Sequence, residues 1–184
     1  IRDRAIISYD PASGKELWKV LHRGWSLAPR PIFGNGLAYV IMDHDRPELW
    51  AIRPDGKGDV TESHIAWKQK RGMPSRSSPL LVDGLIFVVN HDGIATCLDA
   101  KTGTVVWKNR LKGDYSASLL QARGRIYFFN EDSSCTIVKA ARKYEVLGTN
   151  SLAGERLMAS PAAAGNSLYV RTEEHLYRIE KSPR

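Results

Sequence analysis

Four short strand-like segments joined by glycine-bearing turns recur at intervals of 40 to 48 residues, and that repeat predicts an all-β chain built as a β-propeller of four-stranded antiparallel blades. Three features carry the prediction. The turn between the first two strands of each unit falls at Gly36, Gly84, Gly124 and Asn166, spaced 48, 40 and 42 residues apart. The second strands, Leu37–Ile41, Leu85–Val89, Ile126–Phe129 and Leu168–Val170, are continuously apolar rather than alternating, as strands buried on both faces must be. The third feature is a tail, Asp-x-x-x-Gly-x-x-x-Trp, present as Asp10, Gly14, Trp18 and again as Asp99, Gly103, Trp107.

Each part of the unit has a local reason. Its clearest copy starts at Ser78-Pro79, runs through Leu80–Val82 and turns at Asp83-Gly84. It returns through Leu85–Val89, turns at Asn90–Gly93, continues as Ile94–Leu98, and turns at Asp99–Gly103 toward Trp107. Asp-Gly and Thr-Gly pairs suit tight hairpins because glycine accepts positive φ. In the tail, Asp caps the turn, Gly supplies the backbone angle, and Trp fills the wedge between blades with one large apolar plate.

The other copies depart from this pattern. In the second unit Ala51 keeps its place, Arg53 replaces the Asp, and Asp55–Ser63 lengthens the turn before Trp67, an insertion on the blade rim. In the third full unit Lys139, Lys143 and Leu147 stand where Asp, Gly and Trp are expected. Trp18, Trp67 and Trp107 should be buried at equivalent places between blades, with Leu147 filling the next such place less completely.

Ser77–Gly84 and Cys97–Gly103 are close to the consensus of one family. The chain resembles the PQQ-like, or quinoprotein dehydrogenase-like, β-propellers with their tryptophan-docking repeat. That group holds both redox enzymes and the non-catalytic lipoprotein of the outer-membrane β-barrel assembly machinery. The resemblance extends over nearly the whole chain, with Cys97 in place of the usual Ala. Its blades are expected at 28–68, 77–108 and 116–148, with the end of a blade at 1–20 and a partial blade at 159–180. Three complete blades and two partial ones imply a fragment of a larger propeller of seven or eight blades, with N-terminal blades missing.

Composition agrees with a globular domain: 184 residues, 42% hydrophobic and 26% charged, with two cysteines. No apolar stretch reaches the roughly 18 residues of a membrane-spanning helix. A net charge of +7 favours acidic partners. The basic cluster Lys68, Lys70 and Arg71 lacks the interleaved aromatics of a single-strand groove, so no nucleic-acid partner is expected. Cys97 and Cys135 have no ligand-spaced neighbours and read as buried thiols, with a disulfide as the alternative.

Catalytic signatures are sparse. There is no Cys-x-x-Cys-His, no His-x-x-x-His, no Gly-x-Ser-x-Gly and no phosphate-cradling loop. The adjacent cysteines that stack on PQQ in the dehydrogenases are absent too. Asp43-His44-Asp45 reads as a solvated hairpin turn, with a metal site as the alternative. The resemblance therefore implies a non-catalytic binding or scaffold module, without cofactor, in the periplasm or outside the cell. A PQQ-dependent dehydrogenase completed by the missing blades, or a sensor propeller attached to another domain, is the competing reading.

The turns between second and third strands should share one face with the inter-blade connections. On that face Trp25, Arg30, Met73, Arg76 and Arg156 are the candidates for meeting a protein or an anionic small ligand. Trp25 and Met73 each stand six residues before a first-strand proline, Pro31 and Pro79, and are either loop anchors or partner contacts. Arg30 aligns with Ser78, Ser118 and Ser160 near the channel mouth, where it either pairs with an acidic turn or binds an anion.

Overall fold

The computed structural model describes residues 4–24, 28–43, 45–152 and 154–180. These form a propeller arc of five consecutive sheets. The first contains β1 (Ala5–Tyr9), β2 (Glu16–Leu21) and β6 (Gly58–Asp59). The second contains β3 (Ile32–Gly34), β4 (Leu37–Met42), β5 (Glu48–Ile52) and β7 (Ile65–Gln69), and the third β8 (Leu80–Val82), β9 (Leu85–Val89), β10 (Ile94–Asp99) and β11 (Val105–Arg110). The fourth is β12 (Leu120–Ala122), β13 (Arg125–Phe129), β14 (Ser134–Lys139) and β15 (Val146–Ser151), and the fifth β16 (Ala162–Ala164), β17 (Ser167–Arg171) and β18 (Leu176–Glu180). No helix among the described residues is long and apolar enough to cross a membrane.

Within each four-stranded sheet the strands pair antiparallel in chain order. The three-residue first strands β3, β8, β12 and β16 touch one another in sequence and so mark the inner edge of the arc. The tie between them is specific. The Arg30 amide donates to Ser78 Oγ at 2.9 Å, the Ser78 amide to Ser118 Oγ at 3.0 Å, and the Ser118 amide to Ser160 Oγ at 3.0 Å. One hydroxyl per blade thus satisfies the amide of the preceding blade.

The molecule has a separate core at each sheet-to-sheet interface. β9 is buried along its whole length because Leu85, Phe87 and Val89 face the fourth sheet while Ile86 and Val88 face the second. The period-2 alternation of a strand makes one continuous apolar run serve two cores. Both cysteines are free and buried, and burial pushes each thiol up to about 12.

The fourth strands carry a β-bulge at the same place in every blade that has one, and the register beyond it identifies the docking position. Trp18 faces Ser8, Trp67 faces Ala51 and Trp107 faces Cys97. In the fourth sheet the residue facing Ile137 is Gly148, not Leu147. The repeat spacing points to Leu147, but the turn of this unit is one residue longer and shifts the position by one. Leu147 lies in the bulge and is 44% exposed.

Trp18 and Trp107 are buried, and Trp67 is half-buried against the core between the second and third sheets. Trp67 Nε1 donates to the Ala100 carbonyl of the next blade at 3.2 Å, and Trp107 Nε1 to the Ala141 carbonyl at 3.1 Å. Trp67 lies flat against Gly103, where φ is +73° and a Cβ would stand 2.5 Å from Cε3 of the indole. Glycine is required at that turn both for its angle and for the ring beside it. The same turn is capped by Asp99, whose Oδ1 accepts from Lys101 and Thr102 and whose Oδ2 accepts from Arg142 of the next blade at 3.0 Å. Asp10 caps its turn through Ala12 and Ser13.

The insertion at 55–63 does more than lengthen a rim. Its segment β6 pairs in parallel with β2, Trp18 opposite Gly58, and Val60 is buried in the core between the first and second sheets. It thereby covers the outer edge of the first blade.

Candidate binding face

Two of the turns between second and third strands are fixed by their own asparagines. Asn90 Oδ1 accepts from the Ile94 amide and Asn130 Oδ1 from the Ser134 amide, both at 2.8 Å. The inter-blade connections lie across these turns. Tyr115 N donates to His91 O, Glu131 N to Asp114 O, Leu157 N to Glu131 O, and Glu173 N to Arg156 O. Backbone hydrogen bonds therefore stitch the connections and turns into one surface.

At its centre stands Glu131, whose side chain is 14% exposed. Its Oε1 accepts from Ser116 Oγ at 2.5 Å and its Oε2 from Arg156 Nη2 at 3.2 Å. Arg76 Nη1 lies 3.7 Å away and also donates to Ser116 Oγ at 3.1 Å, while His91 Nδ1 lies at 3.9 Å. Arg156 extends the network to Glu173 at 3.8 Å. The Ser116 hydroxyl foremost, then Arg156 and His91, hold the Glu131 carboxyl below its ordinary range. Arg76 and Arg156 keep roughly half their side-chain surface in solvent, 50% and 54%. Two arginines from connections 80 residues apart in the chain thus flank one carboxylate. Glu131 reads in the sequence as one of several acidic turn residues, and nothing in the spacing singles it out as the hub.

The remaining candidates separate. Met73 is 4% exposed and packs into the core with Tyr39, Leu49 and Ile86, so it is a loop anchor and not a surface contact. This corrects its place among the binding-face candidates: thioether and methyl groups gain more by filling that inter-blade gap than by facing water. Trp25 lies outside the described residues, as does His44 of the Asp43-His44-Asp45 turn. Arg30 is exposed, and among the described residues its guanidinium has no partner, so the pairing with an acidic turn does not occur there.

The one group among the described residues with metal-compatible spacing is Glu155, Glu174 and His175. Glu155 is already engaged by His175 Nδ1 at 2.7 Å, by Tyr177 Oη at 3.1 Å and by Thr172 Oγ1, and the Thr172 hydrogen bond is the main reason its pKa is lowered. That is a satisfied hydrogen-bond network. His22 is buried with both ring nitrogens unpaired, and desolvation lowers its pKa.

A comparison with curated protein sequences returns no match. Among solved structures the chain is similar to BamB from Moraxella catarrhalis, with TM-score 0.74 and 16% identity over 97% of this chain and 52% of that one. The chain thus spans about half the length of that structure. It is also similar to the computationally designed Ika4 protein, with TM-score 0.69 and 11% identity over 92% of this chain and 99% of the design. A europium-containing methanol dehydrogenase gives TM-score 0.53 and 14% identity over 65% of this chain and 23% of the enzyme. At these identities the likenesses establish the fold. The family model described as outer membrane protein assembly factor BamB matches residues 2–94 and 57–182, and the chain therefore belongs to that family of PQQ-like β-propellers.

Proposed function

We propose that the chain is a non-catalytic interaction module that holds a protein partner against the face of turns and inter-blade connections, and that it works in the cell envelope or outside the cell. Membership of a family described as an assembly factor for outer membrane proteins supports both the scaffold role and the compartment. The observation that carries the reading is the Glu131 hub. It fixes Arg76 and Arg156 by hydrogen bonds and leaves their guanidinium groups half in solvent, which lowers the entropy lost when a partner's carboxylates bind them. Arg30 at the inner edge, whose guanidinium has no partner among the described residues, adds a third cation to this face. A protein presenting acidic side chains suits it, and the net charge of +7 would assist the encounter.

The test compares partners captured from the native host by the wild type and by an Arg30→Ala/Arg156→Ala variant of matched melting temperature, with Lys101→Ala as control. Loss of a partner by the double variant alone is expected. Identical partner sets would exclude this face. Uptake of PQQ with Ca²⁺, with reduction of an artificial acceptor by an alcohol, would overturn the non-catalytic reading.

A further inference from the structure

The interface between the fourth and fifth sheets has no indole. Gly148 occupies the docking position, and a Cβ built on it meets nothing within 4 Å. An open cleft of about 610 Å³ lies between the two sheets, walled by Tyr127 and Ile137 of the fourth sheet and Leu168 and Ile179 of the fifth, and Ile137 is the residue that Gly148 faces. These four correspond, strand by strand, to Phe87, Cys97, Ile126 and Val138, the surroundings of Trp107 in the preceding interface. We propose that this cleft is a binding site for a small planar aromatic molecule, about the size of an indole, that carries an anionic group.

The shape argument is internal to the molecule. Two successive interfaces of the same construction take an indole, tilted against a second-strand aromatic, between that strand and the next blade's apolar strands. The third offers the same walls and leaves them half-exposed. The volume lies within the range of about 300 to 1,000 Å³ typical of ligand cavities.

The rim supplies the charge. Arg125, Tyr127 and Phe129 alternate on the same face of β13, so the Arg125 guanidinium stands at the mouth above the aromatic wall. It is exposed and has no partner among the described residues. Arg123 beside it donates to Asn166 Oδ1 at 2.7 Å. The acid on the rim, Glu180, is already neutralised by Arg178 at 2.9 Å and bonded by Ser167 at 2.7 Å. The mouth therefore has a cation to spare, suited to a carboxylate or sulfonate on the ring.

Methyl-resolved NMR titration of the full chain with indole-3-acetate, and with uncharged indole, tests this. Saturable shifts are expected at Ile137, Leu168 and Ile179 with Ile41 and Ile86 unmoved. Arg125→Ala should weaken the acid about fivefold and leave indole unchanged. Gly148→Trp, or Leu168→Trp filling the slot from the opposite wall, should abolish both. Absence of saturable binding, shifts centred elsewhere, or full binding by a folded variant with the slot filled would overturn the site. A dimer in sedimentation velocity that fills the slot and persists at saturating acid would assign the slot to a second copy's side chain and would also overturn it.

Discussion

Between the second, third and fourth blades a tryptophan reaches across each interface and donates its N–H to a carbonyl of the next blade, whereas between the fourth and fifth the same position is glycine. The bulge in the leading blade and the inner-edge serine bond are alike in all three, although the fifth sheet has three described strands where the others have four. The cores are not. The third-to-fourth interface buries twelve residues in one cluster and the fourth-to-fifth buries five, with Tyr127, Ile137 and Leu168 only half-covered. Sheet pairing builds a blade, but a large plate in the wedge is needed to exclude water between blades that splay outward.

The largest effect should follow from removing a plate. Trp107→Ala is expected to cost about 3 to 5 kcal/mol, because the indole contacts Phe87 and Tyr144 and its loss leaves a cavity that the strands cannot close. Chemical denaturation would measure it, and an unchanged midpoint would mean that the indole is not what joins these blades. Supplying a plate is the converse experiment. Gly148→Trp meets open space and no positive-φ constraint, so it should stabilise by about 1 to 2 kcal/mol through burial of the half-exposed walls. A loss of stability there would show that the two interfaces differ in more than the missing ring.

The smallest effect separates the loop face from the wedges. Glu131→Gln should cost about 1 kcal/mol at neutral pH by removing a charged acceptor from Ser116 and Arg156. The carboxyl titrates below its ordinary value of 4.5, so its contribution is complete above that pH and is lost as the pH falls through it toward the folded-state value. The gap between variant and wild type should therefore narrow in denaturation curves taken below pH 4.5. A gap independent of pH would point to shape and not charge.

How far the sequence reveals this depends on range. Turns, strand order and the shared face are legible because they follow from local chemistry: Asp99 and Gly103 fix a hairpin, and Leu85–Val89 can only be a strand buried twice. The register of a bulge is less legible. One extra residue between Lys139 and Val146 moves the docking position from Leu147 to Gly148, and no periodicity within that strand reports the shift. Met73 misleads for a related reason, since a methionine in a connection is indistinguishable from an exposed one until the neighbouring blade is placed over it. The convergence of Arg76, Ser116 and Arg156 on Glu131 depends on three different blades, and it has no local signature at all.

Native-state hydrogen exchange, resolved by blade, tests most directly the claim that the indole is what joins consecutive blades. Amides of β17 should open at lower free energy than those of β9, although both are second strands paired on two sides. Gly148→Trp should raise the protection of β17 toward that of β9 and leave β9 unchanged. Equal protection of the two strands in the wild type, or a Gly148→Trp variant that leaves β17 as open as before, would contradict the account.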